Sequence, residues 1–259
     1  MAGKMFKGVG NGQFSGLDRY TMFARVFPVA VVSFPLLLAV SAWIPFAQWP
    51  LRLAGGGLVM VIAAFALAQL ARDAGKAIEA PLWVHWGGPP TARMLRHSDD
   101  TFDPSVKSSI HKQLVKLAVC ECMPSAAEET ADPEGAEATY RFCSDWLRRK
   151  ALQLKGVSPF DVVHQENVSY GYHRNVLGIK TTGIAIALCS IVSIAAAFAF
   201  NRFPVIELLL ALAIAGYLAF AITERRLKSC ADSYSHRLLS AVDAIPVSGS
   251  GNRRSRAVK

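Results

Sequence analysis

Charge is scarce in this sequence. Only 18% of its 259 residues are Asp, Glu, Lys or Arg, against 52% hydrophobic, and that balance departs from a soluble domain toward the membrane class. Catalytic signatures are missing as well. The histidines His85, His97, His111, His164, His173 and His236 lie apart, with no HExxH pair and no nucleophile elbow, so no enzyme and no cofactor are expected. Cysteine is sparse and odd in number: Cys120, Cys122, Cys143, Cys189 and Cys230, with Cys189 inside an apolar run. No disulfide framework is suggested, and a reducing cytoplasmic setting fits. Cys120 and Cys122 are separated by one residue and have no second pair, so no metal site is expected either. No alternating pattern predicts a sheet.

What the chain does have is long apolar runs. A bilayer core about 30 Å thick needs roughly 20 helical residues, because unpaired backbone groups are too costly in hydrocarbon. Four segments reach that length: Val26 to Leu51, Leu53 to Ala71, Thr181 to Asn201 and Phe203 to Thr223. Pro28, Pro35 and Pro45 suggest kinks in the first, and Trp43 and Trp49 suit an interface. The expected fold is an all-α membrane protein with four transmembrane helices in two hairpins, a helical cytoplasmic domain between them and a short amphipathic tail helix. Its parts are residues 1–25, hairpin 26–71, domain 72–180, hairpin 181–223 and tail 224–259. The first run is easily misread as a signal peptide, and even with cleavage the three remaining spans would leave 72–180 and the tail inside. The hairpins do not repeat each other, so an inverted-repeat transporter is not indicated.

The formal charge is +9, and its position decides its meaning. Residues 72–180 are neutral, with fourteen basic and fourteen acidic side chains. The excess flanks the apolar runs, where it meets anionic lipid, so no double-stranded nucleic acid is expected as a partner. Four, fourteen and eight bases sit in the N-terminus, the middle segment and the tail, whereas the two short connections hold only Arg52 and Arg202. Basic residues stay on the cytoplasmic side, so both termini and the middle domain are expected inside.

Within the middle segment, Asp103 and Pro104 read as an N-cap and first helical residue. Val106, Ile110, Leu114 and Leu117 continue a helix to about Cys122. The acidic stretch 123–137 is expected to be an exposed loop. A second helix buries Tyr140, Cys143, Leu147 and Leu154, and Ser158-Pro159 announces a third that runs toward the third span. The tail places Tyr234, Leu238, Val242 and Ile245 on one face.

Three constellations carry candidate chemistry. On a helix, Glu166, Tyr170 and Arg174 share one face and Asn167, Gly171 and Asn175 the next; they form either a coupling relay or ligand contact, or a structural network that seats the domain on the bundle. Glu166 and Arg174 are the expected coupling pair. Trp86-Gly87-Gly88-Pro89-Pro90-Thr91, with Arg93 and Arg96, is either a phosphate-facing loop or a rigid turn, and it lacks the GK[ST] ending of a P-loop. Glu207, with Arg202 and Asn201, is the polar group at the outer end of the fourth run, either lining a pore or snorkelling. Gly55, Gly56 and Gly57, and Gly183, Ala187, Ser190 and Ala195, offer small surfaces for helix contact.

Residues 166–175 carry a Glu-Asn-x-x-Tyr-Gly-x-x-Arg-Asn signature that resembles small bacterial inner-membrane proteins of uncharacterised families, over about residues 83–183. The layout looks like the four-helix pore-forming effectors of nucleotide-signalling antiphage systems, on architecture alone. No ligand residue carries over. The resemblance implies an oligomeric inner-membrane effector or channel gated by a cytoplasmic ligand, with a signalling nucleotide as candidate. The alternative is a non-catalytic scaffold or accessory subunit of a conjugation or secretion apparatus.

Overall fold

A proline fixes φ near the helical value and has no N–H to lose at the first turn, which suits it to helix starts. Helix α1, Phe27–Trp43, opens this way with Pro28, as do α3, Pro90–Arg93, α4, Pro104–Lys116, and α6, Pro133–Gln153. The computed structural model describes residues 20–44 and 49–246, with the backbone course alone for 49–64. The expected kink at Pro45, the roles of Trp49 and Gly55 to Gly57, and the tail beyond Pro246 lie outside what it describes. Among the described residues every element is helical and none is a strand. The remaining helices are α2, Trp49–His85, α5, Ala126–Ala131, α7, Phe160–Gly178, α8, Lys180–Phe198, α9, Val205–Gly216, and α10, Glu224–Ser240.

Two helical stretches are long and apolar enough to cross a membrane: Thr21–Trp43, which joins a π-helical turn to α1, and Lys180–Phe198, which is α8. A third is available if α9, its π-helical continuation Tyr217–Ala221 and α10 are taken as one element, although these bend by 67°. The first candidate span therefore begins earlier and ends sooner than the run from Val26 to Leu51. The stretch from Leu53 to Ala71 is the first part of a single 37-residue helix that continues past Arg72 to His85.

These apolar helices pack through small residues. Gly183, Ala187, Ser190, Ile194 and Ala197 form the buried stripe of α8, and it faces Val32, Leu38, Ala39 and Ala42 of α1. The glycine, alanine and serine predicted for helix contact thus lie inside this chain, except Ala195, which is exposed.

The second core gathers Met94, Leu95, Ile110, Leu114, Tyr140 and Leu147. Leu238, Val242 and Ile245 belong to the same core, so the amphipathic tail face packs against the middle domain. Three expectations fail here. The helix from Pro104 stops at Lys116 because Ala118 turns left-handed, at φ 55°. The acidic stretch 123–137 is not a loop: Ser125 and Glu128 form a reciprocal capping box that starts α5, and Asp132 caps α6 through Gly135. The third helix does not run unbroken into the span either, because Ile179 interrupts α7 and α8.

Candidate functional site

Where α2 crosses α7 the backbones nearly touch. A Cβ on Gly178 would lie 2.5 Å from the Gly75 nitrogen, and one on Gly75 would lie 2.4 Å from Asn175 Oδ1. Only glycine permits that approach. One turn beyond Gly75 on α2, the close crossing brings Glu79 against the polar face of α7.

Glu79 Oε1 accepts hydrogen bonds from the Tyr170 hydroxyl at 2.6 Å and from Arg174 Nη1 at 2.9 Å. Both charged side chains are largely buried, at 16% and 10% exposed, so neither partner has water as a substitute. Arg174 lies over the Tyr170 ring, 5.8 Å from its centroid, and its Nε donates to Asn175 Oδ1 at 3.1 Å. Asn175 Nδ2 in turn donates to the Ala24 carbonyl at 2.6 Å, in the π-helical turn that opens the first span. Burial, followed by the Glu79 charge, holds the Tyr170 phenol well above its ordinary range, so it donates rather than ionises. One polar chain thus links α2, α7 and the apolar helix Thr21–Trp43.

Two further contacts surround it. Lys180, at the head of α8, donates to the carbonyls of Ala219 at 3.0 Å and Ile222 at 2.8 Å, the carbonyls left open where the α9 continuation ends. Trp86 Nε1 donates to Glu224 Oε1 at 2.9 Å and ties the end of α2 to the start of α10.

The structure joins Tyr170, Arg174 and Asn175 of the predicted relay but separates Glu166 and Asn167 from it. Glu166 precedes Arg174 by eight residues, about 12 Å along a helix, which is too far for a pair; Glu79 takes its place. Asn167 lines a cavity of about 140 Å³ with Arg148, His164 and Tyr234. Arg93 and Arg96 do not face an open phosphate site. Arg93 is held by Asp99 at 3.1 Å and Asp232 at 2.9 Å; Arg96 is held by Glu137 at 2.8 Å and by the Gly87 carbonyl at 2.7 Å. Asn201 is a helix stop. It sits at φ 57°, and the Arg202 N–H returns to the Ala197 carbonyl at 3.2 Å, the six-to-one bond of a Schellman motif. Glu207 is half-buried in the first turn of α9.

Sequence reading missed Glu79, although a signal existed. It is the only carboxylate between Asp73 and Asp99, its immediate neighbours Ile78, Ala80, Pro81 and Leu82 are apolar, and such an acid needs a partner. The fold and this site define an all-helical protein of membrane character. No family model, curated protein or solved structure matches the chain.

Proposed function

We propose that the protein is an oligomeric inner-membrane effector or channel, gated through its cytoplasmic domain. In this reading the chain crosses the bilayer four times as two hairpins, with both termini and the middle domain in the cytoplasm, as the 26-to-2 division of basic residues favours. The observation that carries it is the buried chain from Glu79 through Arg174 and Asn175 to the Ala24 carbonyl. A shift of α7 changes the hydrogen bonding of the first span directly, with no flexible linker between. A four-span protomer is too small to enclose a wide pore, so the active form is a homo-oligomer.

The test is expression in cells loaded with a membrane-potential dye, with and without the neighbouring gene, followed by sizing of the purified protein in nanodiscs. Depolarisation that depends on the neighbour, together with an oligomer, is the expected result. An unchanged potential in both strains, or a monomer in mild detergents and nanodiscs, would overturn the effector reading and leave the scaffold alternative.

A further inference from the structure

The left-handed turn at Ala118 ends α4, and the chain beyond it brings Cys120 and Met123 against α6, where Cys143 is buried. Three sulfur atoms meet there. Cys120 Sγ lies 3.4 Å from Met123 Sδ, and Cys143 Sγ lies 3.8 Å from each of them. The circle through this near-equilateral triangle has a radius of about 2.1 Å, so a point just off its plane lies at a metal–thiolate bonding distance, about 2.3 Å, from all three sulfurs at once.

The kind of donor decides the kind of ion. A thioether brings no charge, and two thiols with one thioether select a soft ion such as Cu(I). Structural zinc takes four ligands from Cys, His, Asp and Glu, and among the described residues no three such side chains gather at one point. Cys120 and Cys122 are thus no zinc pair; the partners of Cys120 are Met123 and, 23 residues on, Cys143. The cluster is also within reach of solvent. Cys120 and Met123 are half-buried, and Met123 lines a cleft of about 610 Å³ beside α4.

We propose that Cys120, Met123 and Cys143 form a site for one Cu(I) ion, which clamps the turn after α4 to α6. On binding, each thiol gives its proton to solvent as its sulfur bonds the ion, and the thioether adds an uncharged third bond. Copper stays monovalent throughout, so no oxidant or reductant takes part. The site holds its ion whether or not the protein conducts, and it does not rest on the effector reading above.

The experiment uses the full chain in nanodiscs, reduced and free of oxygen, titrated with the Cu(I) complex of bicinchoninate. The starting chain carries Cys122→Ala, Cys189→Ala and Cys230→Ala, which removes the thiols outside the cluster. It should withdraw one Cu(I) per chain from the chelator. Met123→Leu conserves the volume of the side chain, so packing is kept and only the donor is lost. Loss of a residue that merely supports a metal ligand costs about 10–100-fold in affinity, so Met123→Leu should weaken binding at least about 10-fold and Cys120→Ser at least about 100-fold. A second readout needs no substitution: in the wild-type chain, Cu(I) should protect Cys120 from iodoacetamide while exposed Cys122 still reacts. No withdrawal of Cu(I), an unchanged affinity in Met123→Leu and Cys120→Ser, tighter binding of Zn(II) than of Cu(I), or no protection of Cys120 would each overturn the proposal.

Discussion

Ala118 has φ 55°, a left-handed conformation that costs an ordinary residue about 1 kcal/mol, and it holds the position where glycine usually ends a helix. The Val119 N–H returns to the Leu114 carbonyl at 3.2 Å, so the turn is formed despite the side chain. Ala118→Gly should therefore stabilise the protein by about 1 kcal/mol, read as a rise in the midpoint of thermal unfolding. The sign of a pH effect follows from His111. Burial holds its folded pKa below the ordinary 6.5, so its contribution to stability is intact above 6.5 and is lost as pH falls through the folded value. His173 acts in the opposite direction, because its hydrogen bond with Cys230 raises its pKa. The stability difference between wild type and His111→Gln separates the two: it should shrink between pH 7 and pH 5, and a constant difference would show that His111 does not titrate.

At the scale of elements, what matters is which neighbour a glycine meets. A Cβ on Gly183 would reach only side-chain ends, Val32 Cγ2 at 2.9 Å and Leu218 Cδ1 at 3.1 Å. A Cβ on Gly178 would meet backbone, Gly75 N at 2.5 Å and Ala74 C at 2.7 Å, which cannot rotate aside. The helical preference of alanine, about 1 kcal/mol, offsets the first clash. Gly183→Ala should thus leave stability within about 1 kcal/mol of wild type, whereas Gly178→Ala should cost about 3 kcal/mol by overpacking. Unfolding in detergent measures both, and equal effects would count against the close crossing of α2 and α7. The same contrast explains what could be read from the sequence. Asp103-Pro104, Ser158-Pro159, the apolar runs and the faces of Tyr140, Cys143, Leu147 and Leu238 are local signals, and the helices lie where they point. The stop at Ala118 gives no local signal, because alanine favours helix. The capping box of Ser125 and Glu128 was present but was outweighed by the small, acidic, proline-containing stretch around it. The Arg174 pairing was misassigned because Glu79 is distant in sequence and meets it only through the Gly75–Gly178 crossing.

For the whole molecule, a helical domain is joined to apolar helices by a buried polar chain, and the proposed reading puts that domain in the cytoplasm. Its orientation has a direct check. A reporter inserted near Glu129, or fused after Lys259, should be active only as a cytoplasmic reporter, and periplasmic activity at either place would reverse the topology. The central claim, that Glu79 and Arg174 transmit the domain's state to the spans, makes a sharper demand. Removing one partner of a buried pair leaves the other charge without compensation, a loss of about 3 kcal/mol. Glu79→Ala and Arg174→Ala should each abolish neighbour-dependent depolarisation while abundance and membrane insertion stay normal, and the double variant should lose little more than either. The measurement is the dye response of wild type, both single variants and the double variant in the same cells. Three equally silent variants are the result this account predicts; a wild-type response in either single variant would contradict it.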